Sequence, residues 1–66
     1  MEGTGRLEGK VAAITGAGSG MGREACLVFA GEGARIVAID LDPTALATTA
    51  SMVDDSGGAV SVFALE

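Results

Sequence analysis

A chain of 66 residues is long enough for one small domain at most, and a domain of this size buries only about 60% of its unfolded surface. Its net charge of -5, with four basic residues in all, leaves no basic patch that could neutralise many phosphates, which argues against nucleic acid and anionic membranes as partners. Without histidine and with one cysteine, Cys26, the sequence offers neither a zinc cluster nor an internal disulfide.

The first residues carry no targeting signal. Residues 1–6 lack the apolar stretch of a signal peptide, and no apolar run in the sequence is long enough to span a bilayer. We therefore expect a cytoplasmic protein with no membrane partner, in which Cys26 is a reduced and at least half-buried side chain. Residues 1–5 are predicted to form a loose arm.

The first predicted strand covers Lys10 to Ile14 and leads into a glycine-rich stretch. An apolar run followed by glycines predicts a buried strand that turns tightly into a helix. Glycine tolerates positive φ in such a turn and, having no Cβ, lets a ligand approach the backbone closely. The N–H groups at the helix start would face that ligand, and the helix dipole favours negative charge. The stretch is therefore predicted to bind a diphosphate through alternate glycines, Gly16, Gly18, Gly20 and Gly22.

A first helix is predicted from about Gly20 to Gly31 and a second strand from Arg35 to Ile39. The second strand is apolar after its first residue, which is typical of a parallel strand that is buried on both faces. The helix is expected to pack on the sheet through side chains at helical spacing, namely Met21, Ala25, Val28 and Phe29.

The second helix is predicted to begin with Asp42 as N-cap and Pro43 as its first residue. Gly57 and Gly58 should end this helix, and a third strand should follow from Ala59 to Leu65. The order βαβαβ predicts a parallel sheet, and right-handed crossovers give it the strand order 3-2-1 with both helices on one face. The apolar stripe of the second helix is expected at Leu46, Ala50 and Val53.

The spacing of the glycines distinguishes between the known types of phosphate-binding loop. A Walker-type loop needs Gly-Lys-Ser/Thr, but the only lysine, Lys10, precedes the strand. The pattern G-x-G-x-x-G fails because Met21 occupies the place of its third glycine. The pattern T-G-x-x-x-G-x-G does fit residues 15–22, and it resembles the cofactor loop of the short-chain dehydrogenase/reductase family.

This resemblance covers nearly the whole chain, because residues 7–12, 15–23 and 32–40 are similar to the family's first two strands and first helix. It implies an α/β fold, in which a Rossmann-type βαβαβ unit forms the first part of a doubly wound domain. Residues 1–66 would then be the N-terminal, incomplete part of an NAD(P)-binding domain. For the complete protein it implies a homo-oligomeric oxidoreductase that moves hydride between a nicotinamide cofactor and a CH–OH or C=O substrate.

The choice between NAD and NADP rests on Asp40. It follows Gly22 by 18 residues, at the end of the second strand, where a carboxylate can accept hydrogen bonds from the adenosine ribose and would repel a 2′-phosphate. Family members that prefer NADP usually carry Arg or Lys at positions corresponding to Ser19 and Leu41, so NAD is predicted and NADP is less favoured. The predicted cofactor-binding residues are Thr15, Gly16, Gly18, Ser19, Gly20, Met21, Gly22, Asp40 and Leu41.

Several of these side chains have a second interpretation. Asp40 could be a solvated strand end or a helix cap, and Thr15 could pack against its neighbours instead of bonding to the loop's backbone. Arg23 is interpreted as a solvent-facing helix residue rather than a phosphate ligand. Glu66 falls where the family usually has an aspartate near the adenine ring, with one methylene more.

The family's hydride transfer uses a Tyr-x-x-x-Lys pair with a serine and an asparagine, all beyond the third strand. In such a pair the ammonium lowers the pKa of the phenol, which then acts as acid or base. This sequence contains no tyrosine, so no catalytic residue can be assigned and the 66-residue chain by itself is expected to be inactive.

Two other classes of protein stay open. Gly16, Gly18 and Gly20 also satisfy G-x-G-x-G, so a methyltransferase-type fold could bind S-adenosylmethionine with Asp40 at its ribose, although Thr15 replaces the usual acidic residue. The chain could also be a truncated or stand-alone nucleotide-binding module without catalysis. A Tyr-x-x-x-Lys motif further along the gene would favour the oxidoreductase.

Overall fold

Residues 6–65 are described by a computed structural model, and the predicted N-terminal arm and Glu66 lie outside the described residues. The chain forms β1 (Val11–Thr15), α1 (Gly20–Gly31), β2 (Arg35–Asp40), α2 (Pro43–Asp55) and β3 (Ala59–Ala64). All five predicted elements are present. Strand β1 is shifted by one residue relative to its predicted bounds, and β2 and β3 each differ from theirs by one residue at the carboxyl end. No helix among residues 6–65 is long and apolar enough to cross a membrane.

The three strands form one parallel sheet with β2 in the centre, which confirms the predicted order 3-2-1. Ile36 of β2 is paired with Ala12 of β1 on one side and with Val60 of β3 on the other. Helices α1 and α2 contact each other and both contact β2, so they cover the same face of the sheet. On the opposite face Val11 and Phe63 are 65% and 54% exposed.

The core lies between the sheet and the two helices. Its largest fully buried side chains come from three elements and are Ile36, Leu46, Val53, Thr49 and Cys26. Burial raises the pKa of the Cys26 thiol, which keeps this side chain neutral and unreactive. In α2 the buried stripe contains Thr49 instead of the predicted Ala50, which is only half-buried.

The predicted packing face of α1 is wrong. Met21 is 89% exposed, and Val28 and Phe29 also face outward. The inward face contains Gly22, Cys26 and Ala30, which are small and recur every four residues, and Leu27 packs beside them against the core. Small side chains let α1 lie close to the sheet, and this close approach outweighs the larger apolar surface of the other stripe.

The start of α2 follows the prediction in detail. The side chain of Asp42 accepts hydrogen bonds from the N–H groups of Thr44 at 3.0 Å and Ala45 at 3.2 Å, and Pro43 is the first helical residue. This N-cap fixes where the chain leaves β2 and therefore where α2 passes the glycine loop.

Candidate functional site

The loop between β1 and α1 uses its glycines for two different reasons. Gly16 and Gly20 have φ angles of 65° and 57°, in the left-handed region that favours glycine, and a Cβ built on either would meet nothing within 4 Å. A Cβ on Gly18 would lie 2.8 Å from both the Asp40 carboxylate and the Ala45 side chain. A Cβ on Gly22 would overlap the carbonyl group of Gly16. The loop is therefore tightly enclosed on the protein side and open on the other.

Asp40 lies at the carboxyl end of β2 and faces this loop. Its Oδ2 accepts a hydrogen bond from the N–H of Gly18 at 2.7 Å, and its Oδ1 accepts from Leu41 at 2.6 Å and Asp42 at 3.3 Å. These bonds, with that from Gly18 the largest contribution, hold the pKa of Asp40 below its ordinary value, so the side chain is ionised at neutral pH. A carboxylate offers about four acceptor positions, so one is left for a ligand.

Arg23 and Thr49 hold the loop from the side of the helices. The Nε of Arg23 donates to the hydroxyl of Thr49 at 2.8 Å, and its Nη2 donates to the carbonyl oxygens of Gly18 and, at 3.2 Å, Ala45. The hydroxyl of Thr49 donates to the carbonyl oxygen of Ala17 at 2.8 Å. The interpretation of Arg23 as a solvent-facing residue is therefore wrong, since its side chain joins α1, α2 and the loop.

Four backbone donors are left at the end of the loop. The N–H groups of Ala17 and Gly18 are already bonded, to the carbonyl of Ile39 at 3.0 Å and to Asp40. Within residues 6–65 the next four N–H groups have no protein acceptor, and the Ser19 side chain does not cap them. Because the dipole of α1 is positive at this end, these groups suit an anion. They belong to Ser19, Gly20, Met21 and Gly22.

A cavity of about 250 Å³ opens beside the loop, at the carboxyl ends of the three strands. In open α/β sheets this edge is where ligands bind. The cavity brings together four of the predicted site residues, whereas the other five lie in the loop and the first turn of α1. Its lining consists of Thr15, Gly16, Ile39, Asp40, Leu41 and Leu65.

Four residues of the site are missing from the sequence prediction. One of them, Ile39, lines the cavity next to Asp40, and the other three differ in the signal that the sequence offers. Leu65 directly follows β3, and its place at the same sheet edge as Thr15 and Asp40 was a usable signal. Thr49 is a polar residue at helical spacing from Leu46 and Val53, and a buried hydroxyl on an apolar stripe requires a partner. The third, Arg23, offered no comparable signal, because its partners lie on another helix.

Comparison with known proteins gives concordant matches in sequence and structure. A family model described as short chain dehydrogenase matches residues 10–66. An uncharacterised oxidoreductase of Bacillus subtilis is 40% identical over 62 residues, which are 94% of this chain and 23% of the relative.

Solved structures are similar over the same region. Carveol dehydrogenase from Mycobacterium avium, in complex with NAD, has a TM-score of 0.87 and 37% identity over 96% of this chain and 27% of its own. A metagenomic short-chain oxidoreductase in complex with NADP has a TM-score of 0.87 and 30% identity over 91% of this chain and 27% of its own. The chain thus spans about a quarter of the length of these proteins.

Proposed function

Because the chain belongs to the short-chain dehydrogenase family, we propose that it is the nicotinamide-dinucleotide-binding part of an oxidoreductase. The observation that carries this proposal is the row of four N–H groups at the start of α1 that have no acceptor within residues 6–65, beside an ionised carboxylate at the end of β2. Similar solved structures that contain NAD and NADP support a nicotinamide cofactor. Residues 1–66 would form the N-terminal portion of the cofactor domain, and the complete protein would act on CH–OH or C=O groups.

The residues present fit such a cofactor in two places. The diphosphate would be held by the N–H groups from Ser19 to Gly22, on the open side of the loop where Gly16 and Gly20 leave space. The adenosine would enter the cavity between Leu41 and Leu65, with its ribose hydroxyls donating to the remaining acceptor position of Asp40. When bound, the nicotinamide supplies the position that accepts or donates the hydride.

NAD is the preferred cofactor in this proposal. The ionised Asp40 would repel a 2′-phosphate, and its neighbour Leu41 offers no positive charge to compensate. The guanidinium group of Arg23 already donates to three acceptors of the protein, so it is not directed at that phosphate.

Calorimetric titration of the complete protein with NAD, NADP and S-adenosylmethionine tests the proposal. We expect NAD to bind with at least about ten-fold higher affinity than NADP, and S-adenosylmethionine not to bind. Binding of S-adenosylmethionine without NAD would favour the methyltransferase-type function and overturn the proposal.

A further inference from the structure

Two successive peptide groups of the glycine loop are held in different ways. In the peptide between Ala17 and Gly18, the carbonyl accepts from Thr49 and the N–H donates to Asp40, so both ends are occupied. In the next peptide, between Gly18 and Ser19, the carbonyl accepts from Arg23 while the N–H is free. The loop therefore presents Ser19, and not Gly18, as its first free donor.

The hydrogen bonds around Thr49 can have only one direction. A guanidinium group has no acceptor, so the Thr49 oxygen must accept from Arg23, and its single proton must go to Ala17. Thr49 is fully buried, so water does not compete for these bonds. The arrangement fixes the two carbonyl groups on the side of the loop that faces the helices.

This fixes the direction of the free N–H as well. In a planar trans peptide the carbonyl and the N–H point to opposite sides. When Arg23 holds the carbonyl of Gly18, the N–H of Ser19 is turned away from the helices, toward the open side of the loop. Without this bond the peptide could rotate more freely, because Gly18 has few steric restrictions.

The positive charge of Arg23 also favours an anion beside Ser19. Its three acceptors in this network, one hydroxyl and two carbonyl oxygens, are all neutral. These bonds do not themselves neutralise the positive charge, which lies near the N-terminal end of α1, where the helix dipole is also positive. An anion beside Ser19 would gain from both fields.

We propose that Arg23 and Thr49 are positioning residues for the diphosphate of a dinucleotide. They orient the peptide between Gly18 and Ser19 from the side of the loop that faces the helices, and they do not contact the ligand. This role rests on the proposed binding of a nicotinamide dinucleotide and adds two side chains to it.

The test uses the complete protein and compares Arg23→Met and Thr49→Val with matched controls. Thr48→Val removes a neighbouring hydroxyl of α2 that is exposed and bonds to Thr44 within its own helix, and Arg35→Met removes an exposed charge at the far end of β2. We expect both test variants to bind NAD about ten-fold more weakly or worse, and both controls to bind it normally. Adenosine, which has no phosphate, should bind all variants with affinities that differ by less than about two-fold.

A second measurement needs no ligand. The backbone order parameter of the Ser19 amide, measured by nitrogen-15 relaxation, should fall in both test variants while the amides of β2 keep their values. An unchanged Ser19 amide, or equal losses of affinity for NAD and adenosine, would overturn the positioning role. If the unsubstituted protein binds no NAD, the proposed function fails, and the Ser19 order parameter still decides whether Arg23 and Thr49 orient the loop. Should Thr49→Val not fold, the half-buried Arg23 carries the test alone.

Discussion

The carboxylate of Asp40 can combine a structural role with the proposed contact to the ribose, whereas its place in the sequence presents these two roles as alternatives. Its carboxylate closes the turn after β2 by accepting from Leu41 and Asp42, and it also holds the glycine loop through Gly18. Because these bonds leave one acceptor position, a structural role and a contact with the ribose are compatible. A substitution of Asp40 therefore changes the loop as well as the proposed cofactor contact.

This double role shapes a prediction about cofactor choice. In the complete protein, Asp40→Ala combined with Leu41→Arg should move the ratio of NADP to NAD affinity toward NADP by about ten-fold or more, since a cation replaces a repelling carboxylate. The affinity for NAD should also fall because the buried N–H of Gly18 loses its acceptor. Calorimetry with both cofactors measures this, with Leu41→Arg alone as the control that keeps the loop intact. An unchanged ratio in the double variant would refute the ribose contact.

Because the pKa of Asp40 is lowered in the folded protein, we predict how the stability of the protein changes at acid pH. Between the folded pKa and the ordinary value of 3.8, the unfolded chain binds the proton that the folded chain does not, so stability falls as the pH falls. The contribution of Asp40 is present above about pH 4 and is lost as the pH falls through the folded pKa. In urea unfolding followed by circular dichroism, Asp40→Asn should lose less stability than the unsubstituted chain on acidification. Asp54→Asn is the control, and identical pH dependence in all three proteins would contradict the assignment.

At the scale of the elements, the sequence predicts most of the fold. Local signals determine where helices and strands begin and end. These signals are the apolar runs, the N-cap Asp42 and the pair Gly57 and Gly58. The packing face of α1 could not be predicted from the same pattern, since the helix has two apolar stripes. Which stripe turns inward depends on how closely the small residues Gly22 and Cys26 let it approach the sheet.

The candidate site, like the fold, has one part that the sequence predicts and another part that it does not. The nine predicted residues follow from one motif and one strand end, and they lie in the loop or along the cavity. The network of Arg23 and Thr49 links residues that are 26 positions apart in sequence, and it exists only because α1 and α2 pass the loop together. No periodicity in either helix specifies that contact.

The left-handed turn at Gly16 gives a prediction at this scale. Gly16→Val should reduce the affinity for NAD by at least about ten-fold, because a β-branched residue at a φ of 65° is strained by about 1–2 kcal/mol and would shift the loop. Gly31→Ala is the matched control, since Gly31 has open space around it and lies at the end of α1. Calorimetry that shows equal affinities for both variants would contradict the diphosphate site.

For the whole molecule, the uncovered face of the sheet sets the behaviour of the isolated chain. Both helices lie on the other face, which leaves the apolar side chains of Val11 and Phe63 mostly in water. The outer edge of β1 adds backbone groups that could pair with another chain. Exposed apolar surface and an open edge together favour association.

We therefore predict that the 66-residue chain alone is poorly folded or self-associates, and that it binds NAD far more weakly than the complete protein would. Sedimentation velocity and thermal unfolding would measure both properties. Val11→Glu, on the uncovered face, should raise the monomeric fraction, whereas Thr44→Glu at the exposed start of α2 should not. A stable monomer with a cooperative transition would show that the uncovered face needs no partner.

The strand order also has a consequence for synthesis on the ribosome. Each strand pairs with the strand next to it in sequence, and paired residues are 24 positions apart, so each pairing closes a loop that contains one helix. As the chain emerges, β2 can pair with β1 before β3 exists, and β3 can then pair with β2 without any later segment. The glycine loop and the carboxylate of Asp40 meet in the first of these steps. The cost of this early assembly is that the apolar face is presented to water, and to neighbouring nascent chains, from the moment it forms.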